Sequence, residues 1–364
     1  EGLALNIARA FPALAAPYKF SAHILWVAPV LNTALFLLVA AVLIPLLRRL
    51  RKWLPDRESM FVLGVFIFLG LFGIISAPKL TGSAPGALLA LGLAVTLLRK
   101  MSGAEARLIA GLRRRLFLVP PIILLLVLGV AGYEKAAEWW RADRLPAARA
   151  GAPNVLLIVM DTVRYDSFVR SAAGSLTPNL DRMAAQGVRF ENAWSSSSWT
   201  LPSQTSILTG LYPHQHGADW PSLKLDATRP TLGTFLSEQG YATGAFSGNS
   251  AWITPEYVGR GFLRFDTYIM EDFLRRTSYG RMLNVVLRNL RLHESGRGKP
   301  AAQINAQLLR FVDAYKSRPF FAYVCYMDVN RTFHNRWLNY GFLQHRAPLS
   351  EVKQAYDVGL MELD

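Results

Sequence analysis

NVLLIVMD, Asn154 to Asp161, is the stretch that decides the fold. Its apolar run is too short for a helix of ordinary length and rich in branched side chains, so it reads as a strand buried on both faces, the kind found in parallel sheets. An acidic residue closing such a strand stands at the sheet's carboxyl edge, where open α/β sheets keep their ligand sites. Further along comes SWTLPSQTSILTGLYPHQHG, Ser198 to Gly217, with the hydroxyl of Thr200 just ahead of Pro202 and an apolar helical run ending at Gly210. Proline in a first turn pre-sets the helical φ, and the free N–H groups there hold anions, so Thr200 sits where phosphate or sulfate is welcome.

From Asn154 onward strands and helices alternate, the mark of a parallel sheet covered by helices. Thr177 and Pro178 open a helix that Gly187 closes, and Thr231 to Gln239, stopped by Gly240, reads as another. Ala301 to Ser317 is the longest, with Ile304, Leu308, Phe311, Val312 and Tyr315 on one face. Tyr241 to Ser247 and Phe320 to Met327 read as strands. The expectation is a three-layer α/β/α sandwich over residues 153–364. The single cysteine, Cys325, lies in an apolar strand and reads as a small buried hydrophobe.

The formal charge of +15 invites a nucleic-acid reading, but residues 1–150 hold 18 Lys and Arg against seven Asp and Glu, leaving only +4 for the rest. That excess flanks four apolar runs at 24–47, 60–77, 84–98 and 116–133, which read as a bundle of about four transmembrane helices, the third being the shortest. Arg48, Arg49, Arg51, Lys52 and Arg57 follow the first; Arg99, Lys100, Arg107 and Arg113 to Arg115 follow the third. The positive-inside rule makes both basic loops cytoplasmic and places everything after Tyr133 outside, in the periplasm or its equivalent, as expected for a bacterial inner-membrane protein. Residues 134–152, with Trp139 and Trp140, read as an interfacial exit and linker. The outer part has no basic stripe with interleaved aromatics, which excludes nucleic acid as a partner and leaves the lipid bilayer.

PNVLLIVMDTVRYD, then LTPNLDRMAAQGVRFENAWSSSSWTLPSQTSILTGLYPHQHG, then FFAYVCYMD, together resemble the front half of the sulfatase and alkaline-phosphatase superfamily, closest in style to membrane-anchored lipoteichoic acid synthases and phosphoethanolamine transferases. In such enzymes a divalent metal (Mn, Mg, Ca or Zn) lowers the pKa of a nucleophilic hydroxyl that attacks phosphorus or sulfur. The resemblance puts Asp161 at the first metal-ligand position and Thr200 at the nucleophile, itself a ligand. Sulfatases proper need Cys or Ser there, which is oxidised to formylglycine; threonine instead resembles the transferases. Gln204 replaces a basic substrate contact, and Asn330 stands where many relatives have histidine. Arg164 and Asp166, in DTVRYD, read as an ion pair behind the site or a substrate contact. His214 and His216 read as a loop packed on the nucleophile's helix, and His334 and His345 as surface residues.

YDVGLMELD, ending at Asp364, resembles the helix that precedes the Asp-His pair completing the metal site, so the α/β domain is expected to be incomplete at its C-terminus. Glu1 is no initiator, and relatives of this type begin with one more span, so residues are expected upstream as well. Two functions follow. One is a non-catalytic, sulfatase-like module, a pseudoenzyme serving as a subunit of a membrane complex with other membrane-protein subunits. The other is the N-terminal part of a metal-dependent transferase or hydrolase of phosphoric or sulfuric esters, with Thr200 as nucleophile.

Overall fold

The computed structural model describes residues 1–3, 23–49, 58–76, 83–101, 103–165, 176–220, 222–269, 272, 277–290 and 298–329. Asn330, Asp166, His334 and His345 lie outside them. The chain divides into two compact units, Glu1–Lys135 with Met270–Leu292, and Ala136–Ile269 with His293–Asp364.

The first unit is helical: α1 (Ile24–Arg49), α2 (Glu58–Ser76), α3 (Ser83–Met101), α4 (Glu105–Arg115), a single 3₁₀ turn and the start of α5 (Val119–Asp143). Large apolar side chains such as Leu37, Leu38, Leu88, Leu91, Leu124 and Leu125 point outward, the reverse of a water-soluble helix surface. Ile24–Arg49, Ala84–Met101 and Arg113–Asp143 are long and apolar enough to cross a membrane. Helices α2 and α3 are each 19 residues long, about 28 Å against a hydrocarbon core of about 30 Å. The third apolar run ends at Leu98, and α3 continues past it as helix through Arg99 and Lys100. Where α2 meets α3, Gly64 faces Leu98 so closely that a Cβ would lie 2.7 Å from its Cδ1. Small residues let apolar helices approach in this way. Helix α5 does not stop at Tyr133 but runs ten residues further, to Asp143.

The second unit is built on β1 (Val155–Met160), with α6 (Pro178–Ala185), α7 (Thr200–Thr209), α8 (Pro213–His216), α9 (Leu232–Glu238), β2 (Ala242–Ser247), α10 (Pro255–Val258) and β3 (Arg264–Asp266) following. Next in chain order is α11 (Ser278–Asn289), which belongs to the first unit, and then α12 (Ala301–Ala314) and β4 (Phe320–Tyr326). All strand pairs are parallel, in the order β1-β4-β2-β3. Alternation along β4 sends Phe321, Tyr323 and Cys325 to a core with Leu201 and Leu208 of α7 and Leu236 of α9. It sends Ala322 and Val324 to the opposite face, against Ile304 and Phe311 of α12. Helices therefore pack on both faces of the central strands, with β2 fully buried and β4 buried except at its two ends, while Leu156 and Ile158 of the edge strand β1 stay exposed rather than buried on both faces.

Three side-chain contacts and one close glycine approach tie the edges of this unit. Glu138, on the last turns of α5, pairs with Arg264 at 2.8 Å and accepts the Tyr315 hydroxyl at 2.8 Å, while Arg141 donates to the Leu263 carbonyl at 3.0 Å. Gly261 has φ +83°, and a Cβ there would lie 2.1 Å from the Thr234 nitrogen, so only glycine lets this loop lie against the start of α9.

Candidate functional site

Parallel strands bring their carboxyl ends to one edge, and three of them deliver polar residues there. Val159 of β1 and Ser247 of β2 both pair in register with Cys325 of β4, so the residues just beyond them, Asp161, Asn249 and Asp328, leave the sheet at the same edge. Asp161 is held by its backbone N–H, which donates to the Tyr326 carbonyl at 3.0 Å. The next residue, Thr162, has φ +64°, uncommon for a non-glycine, and its hydroxyl donates to the Asp161 carbonyl at 2.6 Å.

Thr200 is the first residue of α7, preceded by extended Trp199 and followed by Pro202 in the opening turn. Its Oγ1 donates to Asp161 Oδ2 at 3.1 Å. The structure thus brings the strand-end acid and the helix-start hydroxyl, which the resemblance assigns to one site, within hydrogen-bond distance. Burial pushes the Asp161 carboxyl above its ordinary value, opposed by hydrogen bonds from Thr200, from Asn249 and from the Thr162 backbone. Directly below, burial pushes the Cys325 thiol up to about 12, with the Asp161 charge adding to the effect. The thiol is inert, as expected of a fully buried cysteine.

Asn249 is the functional candidate the sequence reading missed. It is buried, and its Oδ1 accepts the backbone N–H groups of Ala251 (3.1 Å) and Trp252 (2.9 Å), which sets the side chain against Asp161. The available signal was its position, a polar residue just past the strand end at Ser247. Trp199 and Trp252 stand edge to face with centroids 5.1 Å apart, and Trp220 stacks on Trp199 at 5.9 Å, so indoles flank the Thr200 end of the site.

The other candidates fall in different places. Gln204 is buried, and its Oε1 accepts the Tyr323 hydroxyl at 2.8 Å inside the core. Arg164 is exposed three residues past Asp161. His216 is buried beneath α7: its Nδ1 accepts the Ala218 N–H at 3.0 Å, so the neutral ring carries its proton on Nε2, which faces the Pro202 carbonyl at 3.2 Å and Ser206 Oγ at 3.1 Å. His214 is exposed and stacks on Tyr212.

Among the described residues there is no group of three or more His, Cys, Asp or Glu able to hold a metal ion. Of the Asp161 carboxylate, the Thr200 hydroxyl and the Asn249 amide only the first is of the Cys, His, Asp or Glu type that holds a catalytic zinc, and three donors are half or fewer of the six or more oxygens around calcium. Asp328 at the same edge spends its Oδ1 on the Ala301 N–H at 3.2 Å. The described donors by themselves do not fit a divalent cation.

Residues 153–364 match the Sulfatase family, and the chain belongs to it. It is 28% identical to human N-sulphoglucosamine sulphohydrolase over 197 residues, 53% of this chain and 34% of that protein. It is 37% identical to bovine arylsulfatase A over 130 residues, 32% of this chain and 25% of the relative. The chain therefore spans about a third or less of the curated relatives it matches. Among solved structures, the phosphonate monoester hydrolase of Agrobacterium radiobacter overlaps 50% of this chain and 42% of its own, at 21% identity and a TM-score of 0.37, too partial a superposition to argue from.

Proposed function

We propose that this chain carries the nucleophile end of a group-transfer centre for phosphoric or sulfuric esters, held on the outer side of a membrane by its N-terminal helices. The observation that carries the reading is the hydrogen bond from Thr200 Oγ1 to Asp161 Oδ2, made at a helix N-terminus and at the carboxyl edge of a parallel sheet. Asp161 receives the hydroxyl proton and aims the oxygen's free lone pairs away from itself, toward the space in front of the α7 N-terminus. There the backbone dipole favours an anionic ester. Threonine yields no formylglycine, so phosphoryl chemistry is favoured over hydrolysis of sulfate esters. The divalent ion that family membership implies takes Asp161 as one donor, with the remaining donors outside the described residues. Topologically, α1, α2, α3 and α5 cross the bilayer with the two Arg-rich connections inside.

The test is covalent capture. The purified protein, given an aryl phosphate ester with divalent cation, is expected to release the phenol and to carry a phosphoryl group on the Thr200 peptide by mass spectrometry. Thr200→Ala is expected to lose at least 10³-fold in rate, the order seen when a nucleophile is removed. Turnover that survives this substitution overturns the assignment.

A second reading, a non-catalytic module within a complex of membrane-protein subunits, is favoured by Gln204, whose amide is spent on Tyr323 in the core. In that reading the Thr200–Asp161 bond only stabilises the sheet edge. The parent protein would then be inactive toward every ester, while Thr200→Ala would lower its melting point.

A further inference from the structure

Between β3 and α12 the chain leaves the α/β unit and contributes α11, Ser278–Asn289, to the helical unit. Its first turn is fastened to the carboxyl end of α2. Ser278 Oγ donates to the Gly73 carbonyl at 2.9 Å, Arg281 Nη2 donates to the Ser76 carbonyl at 2.8 Å, and the Tyr279 hydroxyl donates to the Leu69 carbonyl. Tyr279 is buried among Phe36 and Phe72, and Gly73 is what admits it: a Cβ there would stand 3.1 Å from the Tyr279 ring. Arg281 also places a cation at the carboxyl end of α2, where the helix dipole favours one.

Beyond that fastening the helix offers an apolar stripe that the other described residues leave exposed. Met282, Leu283, Val286 and Leu290 follow Tyr279 at spacings of three and four, and they are 51%, 45%, 51% and 60% exposed. Arg281 and Asn284 fall on the other side of the wheel with Val285, 46% exposed, beside Arg281; the helix itself holds no acidic residue, and Glu1 Oε1 accepts the Ser278 N–H at its first turn. A broad exposed aliphatic face bordered by an arginine, on a helix without carboxylates of its own, is the pattern of a helix lying in a membrane surface. The stripe also adjoins bilayer-facing apolar surface, since Ile74, next to Gly73 on α2, is 52% exposed.

We infer that α11 is an interfacial helix: it lies in the headgroup-acyl boundary of the outer leaflet, with Met282, Leu283, Val286 and Leu290 in the acyl region and Arg281 at the phosphates. The occupant of the stripe is lipid. The inference rests on the membrane-spanning reading of α1 to α3 and α5. It gives the outer unit a second tether to the bilayer, inserted in the chain between β3 and α12, in addition to α5.

The test is a depth measurement on the full chain in nanodiscs of phosphatidylcholine with a minority of phosphatidylglycerol. Cys325 is fully buried and unreactive, so a nitroxide attaches only at an introduced cysteine. Leu283→Cys, Val286→Cys, Asn284→Cys and, in the middle of α1, Leu37→Cys are each labelled, and collision with oxygen is compared with collision with a water-soluble nickel complex. The oxygen-to-nickel ratio is expected to be several-fold higher at positions 283 and 286 than at 284, and highest at 37. Equal, nickel-dominated ratios at 283, 284 and 286 beside a deep position 37 would overturn the interfacial helix and leave the spanning reading standing. Poor access by both reagents at 283 and 286 would mean a protein covers the stripe, which also overturns it. A nickel-accessible position 37 would sink the spanning reading itself, and this inference with it.

Discussion

Asp161 is a carboxylate kept where carboxylates are costly, and pH exposes that cost. In the unfolded chain it titrates near 3.8, while in the fold desolvation raises it. Between those two values the native state binds more protons than the unfolded state, so stability falls as pH rises through the window and is level above it. Asp161→Asn removes the titration while keeping an oxygen to accept the Thr200 hydroxyl. The variant is expected to melt above the parent at neutral pH and to lose that advantage below pH 3.8. Thermal melts of both proteins across this range check it, and a difference that ignores pH would mean the carboxylate is not strained by burial. The same substitution is expected to abolish ester turnover. A group that weakens the fold while serving its chemistry is what a functional site, rather than a structural hydrogen bond, looks like.

The helix that carries Thr200 is braced from beneath by His216, which accepts from the Ala218 N–H and faces both the Pro202 carbonyl and the Ser206 hydroxyl. Burial lowers its pKa from the ordinary 6.5, so the unfolded chain takes up a proton first as pH drops. Stability tied to this ring is complete above pH 6.5 and declines below it until the folded-state value is passed. His216→Ala is expected to cost about 2 kcal/mol, the usual penalty for leaving buried donors and acceptors unmatched, and to flatten the melting curve's dependence on pH below 6.5. Denaturant midpoints at several pH values measure both effects. This brace was legible as a packed loop, because LYPHQHG follows a helix stopped by glycine. The strands Ala242–Ser247 and Phe320–Tyr326 and the helices Pro178–Ala185, Leu232–Glu238 and Ala301–Ala314 were legible for similar local reasons: apolar runs, caps and stops. Asn249 was not, because its meaning comes from β2 lying two strands from β1, a pairing that no local pattern encodes. Nor was the inward turn of Gln204, decided by Tyr323 across the core.

In the proposed topology it is the uneven charge of the chain, more than any single contact, that sets the orientation in the membrane. Eleven of the fifteen net positive charges lie in residues 1–150, and arginines close the apolar helices α1 and α3 and, at the end of α4, precede the apolar α5. Carrying a cation through hydrocarbon costs about 2.5–3.5 kcal/mol per residue on insertion scales, so the face with the basic clusters stays inside. Helix α5 starts beside Arg113 to Arg115 and runs to Asp143, so the proposed topology has the chain leave the bilayer on the side away from those arginines. Position-specific labelling tests this whole arrangement. In intact cells a membrane-impermeant maleimide is expected to modify Thr228→Cys, on an exposed loop of the α/β unit, and to miss Arg114→Cys until the membrane is opened. The native thiol of Cys325 contributes no background, since it is fully buried. Labelling of Arg114→Cys in sealed cells, with Thr228→Cys protected, would put Thr200 in the cytoplasm and remove the outer-leaflet setting from the proposed chemistry. If the charges are the cause, replacing Arg113, Arg114 and Arg115 with glutamine weakens the bias at the start of α5 and is expected to yield a measurable fraction of inverted chains. Replacing the equally basic but soluble-side Arg229 is expected to change nothing.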